Sequence, residues 1–293
     1  MAIQNIGRWR AGDVEIFSIP EVIALNDDIN VLLQNATPDL VLKYSWLQPH
    51  YASPEGRMII NFQGFVVKAG GRNIVVDTCI GGDRQREYDV FCQLKSDFMD
   101  DLKSIGVTPD NVDTVLCTHL HFDHVGWNAQ KVNDRWVPTF PKARYLFGRV
   151  EYEHWMMLYR TKGYHHLLHV EECIMPIIEA GLVDLIEMEH RINDEVRLEP
   201  TPGHTPGHVS VRIASRGQEA VITGDIMHSP IQIAVPEWAV NFDMDKALAV
   251  QQRVRFVKAS ADNPVLVIGS HFPQPTAGYI VSDGGSWRFT GSP

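Results

Sequence analysis

The sequence predicts an α/β protein, a single layered domain over residues 1–293. Strands and helices alternate in both halves of the chain, and no linker rich in Pro, Gly or Ser divides them. At 293 residues the chain can bury a sizeable core. Its 44% hydrophobic and 21% charged residues are typical of a globular protein rather than a disordered one. We therefore expect helices packed on β-sheets within one domain.

The N-terminal part of the chain predicts strands separated by an irregular segment. Runs of β-branched and aromatic residues predict strands over 12–23 and 57–80, and Gly70 and Gly71 mark a hairpin turn in the second run. Residues 25–56 carry scattered Asn, Pro and Asp together with apolar residues. The sequence leaves open whether this segment is an arm that packs on a second copy, giving a homodimer, or a cover over its own sheet.

Helices and buried strands alternate through the rest of the chain. A short amphipathic helix over 98–105 precedes an apolar strand over 112–118. Further strands are predicted at 143–147, around Leu185 and Val196, and at 209–214, 220–225 and 265–270, with helices over 150–180 and 244–259. The sequence leaves open whether residues 150–180 form a lid or simply pack on the sheet.

A cluster of metal-binding residue types follows the strand at 112–118. The string HLHFDHVG places three imidazoles and a carboxylate within six residues. Alternate side chains His119 and His121 can point to one position, while Asp123 and His124 point to an adjacent one. Imidazole nitrogen and carboxylate oxygen suit Zn²⁺ at about 2.0–2.2 Å. The string predicts two neighbouring metal positions, each still short of ligands.

Later strand ends offer the missing ligands. His204 lies in the Gly- and Pro-fixed turn TPGHTPGH, Asp225 follows the strand AVIT, and His271 follows the strand VLVI. Functional side chains of layered α/β proteins commonly gather at strand ends along one edge of a sheet. We therefore expect these three residues to complete the two metal positions.

The order HLHFDHVG, TPGHTPGH, GD and GSHF over about residues 60–275 resembles the metallo-β-lactamase superfamily. It is similar in particular to its N-acyl homoserine lactonase-like and methyl parathion hydrolase-like members. The resemblance implies a four-layer αββα sandwich with two Zn²⁺ ions in a cleft. It further implies one ion on His119, His121 and His204, a second on Asp123, His124 and His271, a bridging Asp225, and a supporting Asp77.

The resemblance implies hydrolysis, and two residues bear on the substrate. Asp225 stands where the common β-lactamases carry a cysteine ligand, which disfavours a β-lactamase. Lactonases of the family usually place a tyrosine three residues after the bridging aspartate, where this chain has His228. We expect a hydrolase of small esters or lactones, with a phosphotriester hydrolase as the alternative. A relative that binds metal or a partner without turnover is a third reading, disfavoured by the complete ligand set.

The expected mechanism needs no side-chain nucleophile. Two zinc ions can share a water and lower its pKa towards 7, which supplies a bridging hydroxide as the attacking group. Asp123 or Asp225 could move the proton to the leaving group, and His228 could donate a hydrogen bond to it. His228 could equally be a buried imidazole that only supports the ligands.

Apolar residues near these motifs are candidates for lining the substrate pocket, although large apolar side chains are commonly core residues. The candidates are Phe62, Phe65, Trp127, Met227 and Phe272.

Charge and composition exclude some partners. The net charge of −10 disfavours nucleic acid, and no apolar run approaches the ~20 residues of a membrane helix. The four cysteines form no CxxC pair, and no apolar segment follows the N-terminal arginines as in a secretion signal. We expect a cytoplasmic protein.

Overall fold

The computed structural model describes residues 6–25, 32–86, 88–162 and 167–291. The chain divides into two compact units. Unit 1 comprises Met1–Arg10, Val14–Val22 and Phe62–Asn193, and unit 2 comprises Ala11–Asp13, Ile23–Asn61 and Asp194–Pro293. That the units form one domain stays a prediction.

The first nine strands are β1 (Gly7–Ala11), β2 (Val14–Leu25), β3 (Ile59–Ala69), β4 (Arg72–Val76), β5 (Thr114–Leu116), β6 (Ala129–Val132), β7 (Arg135–Pro138), β8 (Arg144–Gly148) and β9 (Val183–Ile186). The larger sheet, built mainly from unit 1, has the order β1-β2-β3-β4-β5-β8-β9, and β6 and β7 form a separate hairpin. Pairs β4·β5, β5·β8 and β8·β9 are parallel, whereas β3·β4 is antiparallel.

The sheet of unit 2 consists of β10 (Val196–Pro200), β11 (Val209–Ser215), β12 (Gln218–Ile222), β13 (Val265–Ile268), β14 (Ala277–Asp283) and β15 (Ser286–Gly291). The strands lie in the order β10-β11-β12-β13-β14-β15. Neighbouring strands pair antiparallel except for the parallel pair β12·β13. Consequently β10, β12 and β13 all run in the same direction.

Helices are mostly short. The longest described helix of unit 2 begins at Lys246, and the side chain of Asp245, directly before it, accepts a hydrogen bond from the Leu248 amide and caps the helix. The helices are α1 (Pro38–Val41), α2 (Phe98–Ser104), α3 (Phe122–Val125), α4 (Arg149–Lys162), α5 (Met175–Glu179), α6 (Ile231–Ala234) and α7 (Lys246–Ser260). The predicted helix over 244–259 is confirmed as α7.

The helix-rich stretch predicted over 150–180 is confirmed in the described residues, where it consists of two separate helices. Helix α4 ends at Lys162, and α5 begins at Met175 after a π-helical turn over Val170–Ile174. Pro176 has no N–H and lies in the first turn of α5, the position in which a helix tolerates proline best. The segment between the helices includes His165 and His166, which lie outside the described residues.

The strand predicted over 12–23 begins at Val14, as β2. Gly12, the predicted first residue, lies instead in the turn between β1 and β2, with a φ of +59°. This left-handed conformation suits glycine because it has no Cβ. The hairpin predicted at Gly70 and Gly71 is confirmed between β3 and β4.

The core of unit 1 lies on one face of its sheet. Val75, Val115 and Tyr145 on adjacent strands are fully buried, as are Ile174 and Ile177 from the helical layer. Since burying an aliphatic side chain contributes roughly 1.5–3 kcal/mol, this cluster is the main stabilising feature of the unit.

Part of the irregular segment 25–56 packs inside unit 2. Leu33 forms an isolated bridge with Val240, and Leu32, Leu33 and Leu47 are buried. These contacts favour a cover within the chain for the described part, because the apolar side chains are already removed from water. Residues 26–31 lie outside the described residues, and the homodimer stays a prediction.

In the described part of the chain, none of the helices has the length and apolar character required to cross a membrane.

Candidate metal centre

Unit 1 places its metal-binding residue types at the ends of two parallel strands. Asp77 directly follows β4, and the residues from Thr118 to His124 follow β5. Because parallel strands end at the same edge of a sheet, the carboxylate and the imidazoles meet there. His121 has an extended backbone conformation and directly precedes the short helix α3, which carries Asp123 and His124.

The side chains of this motif converge. The Nε2 atom of His119 lies 2.9 Å from Nδ1 of His121, and the ring centroids of His119 and His124 are 4.1 Å apart. His124 Nε2 lies 3.5 Å from Asp123 Oδ2. His119 and His124 are almost fully buried. Unit 1 thus brings together the four residues that the sequence singled out.

Carboxylates support both sides of the motif. Asp77 accepts hydrogen bonds from the amide and hydroxyl of Thr118 at 2.7 and 2.8 Å, and its Oδ2 lies 2.9 Å from His124 Nδ1. Buried Glu151, in the first turn of α4, accepts a hydrogen bond from the Leu120 amide at 3.1 Å. These bonds fix the loop between β5 and α3 from two directions.

Unit 2 gathers the other candidate ligands at one sheet edge. Strands β10, β12 and β13 run in the same direction, and their carboxyl ends lead into His204, Asp225 and His271 respectively. Asp225 lies in a 3-10 turn directly after β12. The sheet topology therefore accounts for the meeting of residues that are up to 67 positions apart in the sequence.

Three imidazoles surround the Asp225 carboxylate. The Nε2 atoms of His204, His228 and His271 lie 3.3, 3.1 and 3.2 Å from its oxygens. The rings of His228 and His271 stack, with centroids 4.8 Å apart and 5° between their planes. All four side chains are buried.

In His204 and His271 the Nδ1 atom, on the other side of the ring from Nε2, lies next to an oxygen. His204 Nδ1 lies 2.9 Å from Asp243 Oδ1, and His271 Nδ1 lies 2.7 Å from the carbonyl oxygen of Asn61. Such bonds place the proton on Nδ1 and direct the Nε2 lone pair the other way. Asp243 and Asn61 were missed at the sequence level, because neither lies within a motif.

His208, the second histidine of TPGHTPGH, contacts the backbone of Asp225, whereas His204, the first, faces the Asp225 carboxylate. His208 Nε2 accepts a hydrogen bond from the Asp225 amide at 2.7 Å, so its Nδ1 carries the proton that faces the Thr201 carbonyl at 3.0 Å. The contact requires Gly224, which has a φ of +56° and whose added Cβ would lie 2.5 Å from His208 Nε2. His208 thus fixes the backbone that carries Asp225.

His228 is neutral at physiological pH. Burial lowers its pKa to about 4, although the adjacent Asp225 carboxylate acts in the opposite direction. The amide of His228 donates to Gln232 Oε1 at 2.7 Å, which fixes the backbone at this point. A neutral imidazole can donate one hydrogen bond and accept another.

The ligand types and spacings fit zinc in each unit. Tetrahedral zinc with bonds of about 2.0–2.1 Å separates its ligand atoms by roughly 3.3 Å. The ligand-atom pairs of the motif in unit 1 are 2.9 and 3.5 Å apart, and the Asp225 oxygens lie 3.3 and 3.2 Å from the Nε2 atoms of His204 and His271. Neutral imidazoles whose other nitrogen has an oxygen partner are typical of zinc ligands. Both sets therefore offer nitrogen and oxygen atoms of the kind that bind zinc.

The pocket candidates take different positions. Phe65, Met227 and Phe272 have no exposed surface, which agrees with the core role that their size also allowed. Trp127 stacks on Phe98, with its Nε1 donating to Glu21 at 2.7 Å.

Phe62 belongs to an aromatic group beside the unit 1 motif. Its ring centroid lies 4.8 Å from that of Phe91, which lies 5.7 Å from that of Phe122. Phe122 sits between His121 and Asp123 in the sequence, so the group borders the candidate ligands. Phe91 and Phe122 are half-buried, which leaves apolar surface for a ligand. Neither residue stood out in the sequence.

Comparison with known families identifies the chain. Residues 63–291 match the family model of the metallo-beta-lactamase superfamily. The chain belongs to this superfamily. The match covers the HLHFDHVG motif and the later ligand candidates, so the family resemblance inferred from these motifs is confirmed.

Among characterised relatives in the superfamily, the chain is 28% identical over 174 residues to the N-acyl homoserine lactonase AiiA of Bacillus thuringiensis subsp. kurstaki. That alignment covers 59% of this chain and 61% of the lactonase, so the chain spans about three fifths of the length of the lactonases it matches.

Solved structures of the superfamily share the fold. The hydrolase AbOPH matches with a TM-score of 0.82 at 24% identity, covering 100% of this chain and 99% of AbOPH. AidC, a dizinc quorum-quenching lactonase, matches with a TM-score of 0.79 at 18% identity, covering 100% of this chain and 99% of AidC. The predicted α/β class and the metallo-β-lactamase-like sandwich fold are confirmed by this likeness.

Proposed function

We propose that this protein is a dinuclear zinc hydrolase of small esters or lactones. The observation that carries the proposal is the pair of ligand sets, each with imidazole nitrogens and a carboxylate at zinc-ligand spacing. In this proposal His119, His121 and His204 hold one ion, Asp123, His124 and His271 hold the other, and Asp225 is shared. Membership of the metallo-beta-lactamase superfamily supports the assignment.

Two zinc ions bound there would supply an ionised water as the attacking group and polarise the carbonyl oxygen of the substrate. Asp225 or Asp123 then accepts a proton and returns it to the leaving alkoxide. Neutral His228, 3.1 Å from Asp225, donates a hydrogen bond to the leaving oxygen. Asp77 and Asp243 hold their histidines in one tautomer, so the ligand geometry is set before substrate arrives.

The substrate is proposed to be a lactone or ester with an apolar part. The similarity to N-acyl homoserine lactonases supports lactones. The group formed by Phe62, Phe91 and Phe122 offers an apolar surface next to the motif of unit 1. A net charge of −10 favours neutral or weakly charged small molecules over polyanions.

A phosphotriester hydrolase is the second candidate. The observation that favours it is the histidine at position 228, where lactonases of the family usually carry a tyrosine. His228 stacks on the ring of the candidate ligand His271, so an imidazole and not a phenol stands beside the proposed metal position. The two candidates differ in the geometry of the reacting centre, so they are separable by rate.

A substrate panel tests the proposal. Zinc-loaded protein is assayed with an N-acyl lactone, an aryl ester and an aryl phosphotriester, and kcat/KM is compared with that of the Asp225→Asn variant. We expect the lactone or the ester to be hydrolysed fastest and the variant to be at least 100-fold slower. A phosphotriester preferred over both would favour the second candidate. No turnover of any class would favour a relative that binds metal without catalysis.

Location and assembly follow as proposals. Cys79, Cys92, Cys117 and Cys173 carry free thiols, which supports a reducing, cytoplasmic setting. A homodimer is also proposed, and light scattering of the purified protein tests it.

A further inference from the structure

A buried ion pair lies behind the ligands of unit 2. Asp243 lies between α6 and α7, and Arg253 lies on α7. Their side chains have no exposed surface, and Arg253 Nη2 lies 3.3 Å from Asp243 Oδ2. Burying two charges is costly unless both are extensively hydrogen-bonded, so such a pair calls for a reason beyond stability.

Asp243 contacts a candidate ligand directly. Its Oδ1 accepts from His204 Nδ1 at 2.9 Å, and its Oδ2 accepts from the Val240 amide at 2.9 Å. Both oxygens of the carboxylate thus accept hydrogen bonds, which fixes its orientation relative to the His204 ring.

Arg253 binds the backbone on either side of the site. Its Nε donates to the carbonyl of Ile226 at 2.6 Å, one residue after Asp225. Its Nη1 donates to the carbonyls of Pro236 and Trp238 at 3.2 and 3.0 Å. One planar guanidinium thus connects the turn that carries Asp225 with the segment that leads to Asp243.

We propose that Asp243 and Arg253 act as positioning residues, which orient His204 and the turn carrying Asp225 for zinc binding. Asp243 keeps the proton of His204 on Nδ1 and so directs Nε2 towards the metal position. Arg253 holds Asp243 and the Ile226 carbonyl in one arrangement. This inference rests on the proposed zinc function.

Zinc affinity is the readout. Metal-free wild type, Asp243→Asn and Arg253→Lys are titrated with zinc against a chromophoric chelator, and folding is checked by circular dichroism. We expect Asp243→Asn to bind zinc about 10- to 100-fold more weakly, as is typical when a partner of a metal-binding histidine is lost. Arg253→Lys should weaken binding at least threefold, because lysine lacks the planar fork. Unchanged affinity in both folded variants would overturn the proposal.

Asp184→Asn is the matched control. Asp184 also pairs with an arginine, Arg144, at a half-exposed place on the sheet of unit 1. Its zinc affinity should stay within twofold of the wild type. An equal loss in this variant would show that the effect reports a general change in charge or stability, and would also overturn the proposal.

A measurement on the zinc-loaded wild type remains decisive if the variants do not fold. With ¹⁵N-labelled histidine, His204 should show a protonated Nδ1 whose hydrogen exchanges slowly with water, because it is bonded to buried Asp243. A rapidly exchanging Nδ1 proton, or zinc bound through Nδ1, would overturn the proposal. Zinc binding with these signals but without turnover of any substrate would contradict the proposed hydrolase function instead.

Discussion

At the residue scale, the ability of a candidate histidine to bind metal depends on the partner of its Nδ1 atom as well as on the imidazole itself. His124 faces Asp77, His204 faces Asp243, and His271 faces the Asn61 carbonyl. Each contact selects one imidazole tautomer. The sequence shows the histidines, but only the folded chain shows which nitrogen each one presents.

The proposed hydrogen bond from His228 to the leaving oxygen can be tested by mutation. We expect His228→Ala to lower kcat at least tenfold while zinc content stays the same, since a proton or hydrogen-bond donor contributes roughly 10²–10⁴ in rate. The exposed His50 gives the control variant His50→Ala, whose kcat should equal that of the wild type. An unchanged kcat in His228→Ala, measured on the preferred substrate, would assign the residue to support alone.

The cysteines differ in their accessibility. Burial raises the pKa of the Cys79 and Cys117 thiols, so the fraction of reactive thiolate is reduced at any pH. Cys173 is also fully buried, whereas Cys92 is partly exposed. At about pH 8 a thiol reagent should label Cys92 alone in the native protein, and all four cysteines after unfolding in guanidinium. Native labelling of Cys79 or Cys117 as fast as Cys92 would contradict the burial described here.

At the element scale, the turn after β12 is the most constrained part of the site. Gly224 and Gly217 both have positive φ, but only at Gly224 would a Cβ meet a neighbour, His208 Nε2 at 2.5 Å. Gly217→Ala should destabilise by roughly 1–2 kcal/mol from backbone strain. Gly224→Ala should lose roughly 2–4 kcal/mol, since overpacking adds to the strain. Urea unfolding of the metal-free variants measures both losses, and equal values would contradict the proposed role of His208.

Much of the element pattern was predictable because short apolar runs bounded by turn residues are local signals. The hairpin at Gly70 and the helix α7 are confirmed, and the candidate ligands follow strand ends as expected. The helix-rich stretch over 150–180 was predicted, but the bounds of α4 and α5 within it were not. The periodic spacing of apolar residues predicts which face of a helix is buried, but it does not predict where the helix is interrupted.

The supporting residues could not be predicted for a different reason. Asp243 is 39 positions from His204, and Glu151 is 31 positions from Leu120. Hydrogen bonds between distant segments depend on the sheet order and leave no spacing signal in one sequence. Asp77 was found only through the family resemblance, and even there its bonds to Thr118 were not foreseen.

At the scale of the whole molecule, zinc binding should be linked to stability. A ligand at 100 times its Kd adds about 2.7 kcal/mol per site to the free energy of unfolding. Removing zinc with a chelator should therefore lower Tm by roughly 5 °C or more, and added zinc should restore it. Calorimetry measures the shift. A Tm that does not respond to chelator or zinc would contradict binding to the folded state.

The central claim is that the proposed ligands bind two zinc ions per chain. Native mass spectrometry of metal-free protein titrated with zinc tests this claim most directly, with His119→Ala and Asp225→Ala measured alongside. The account predicts saturation at two zinc ions per chain in the wild type and fewer in each variant. A wild type that retains no zinc, or variants that still bind two ions as tightly as the wild type, would contradict it.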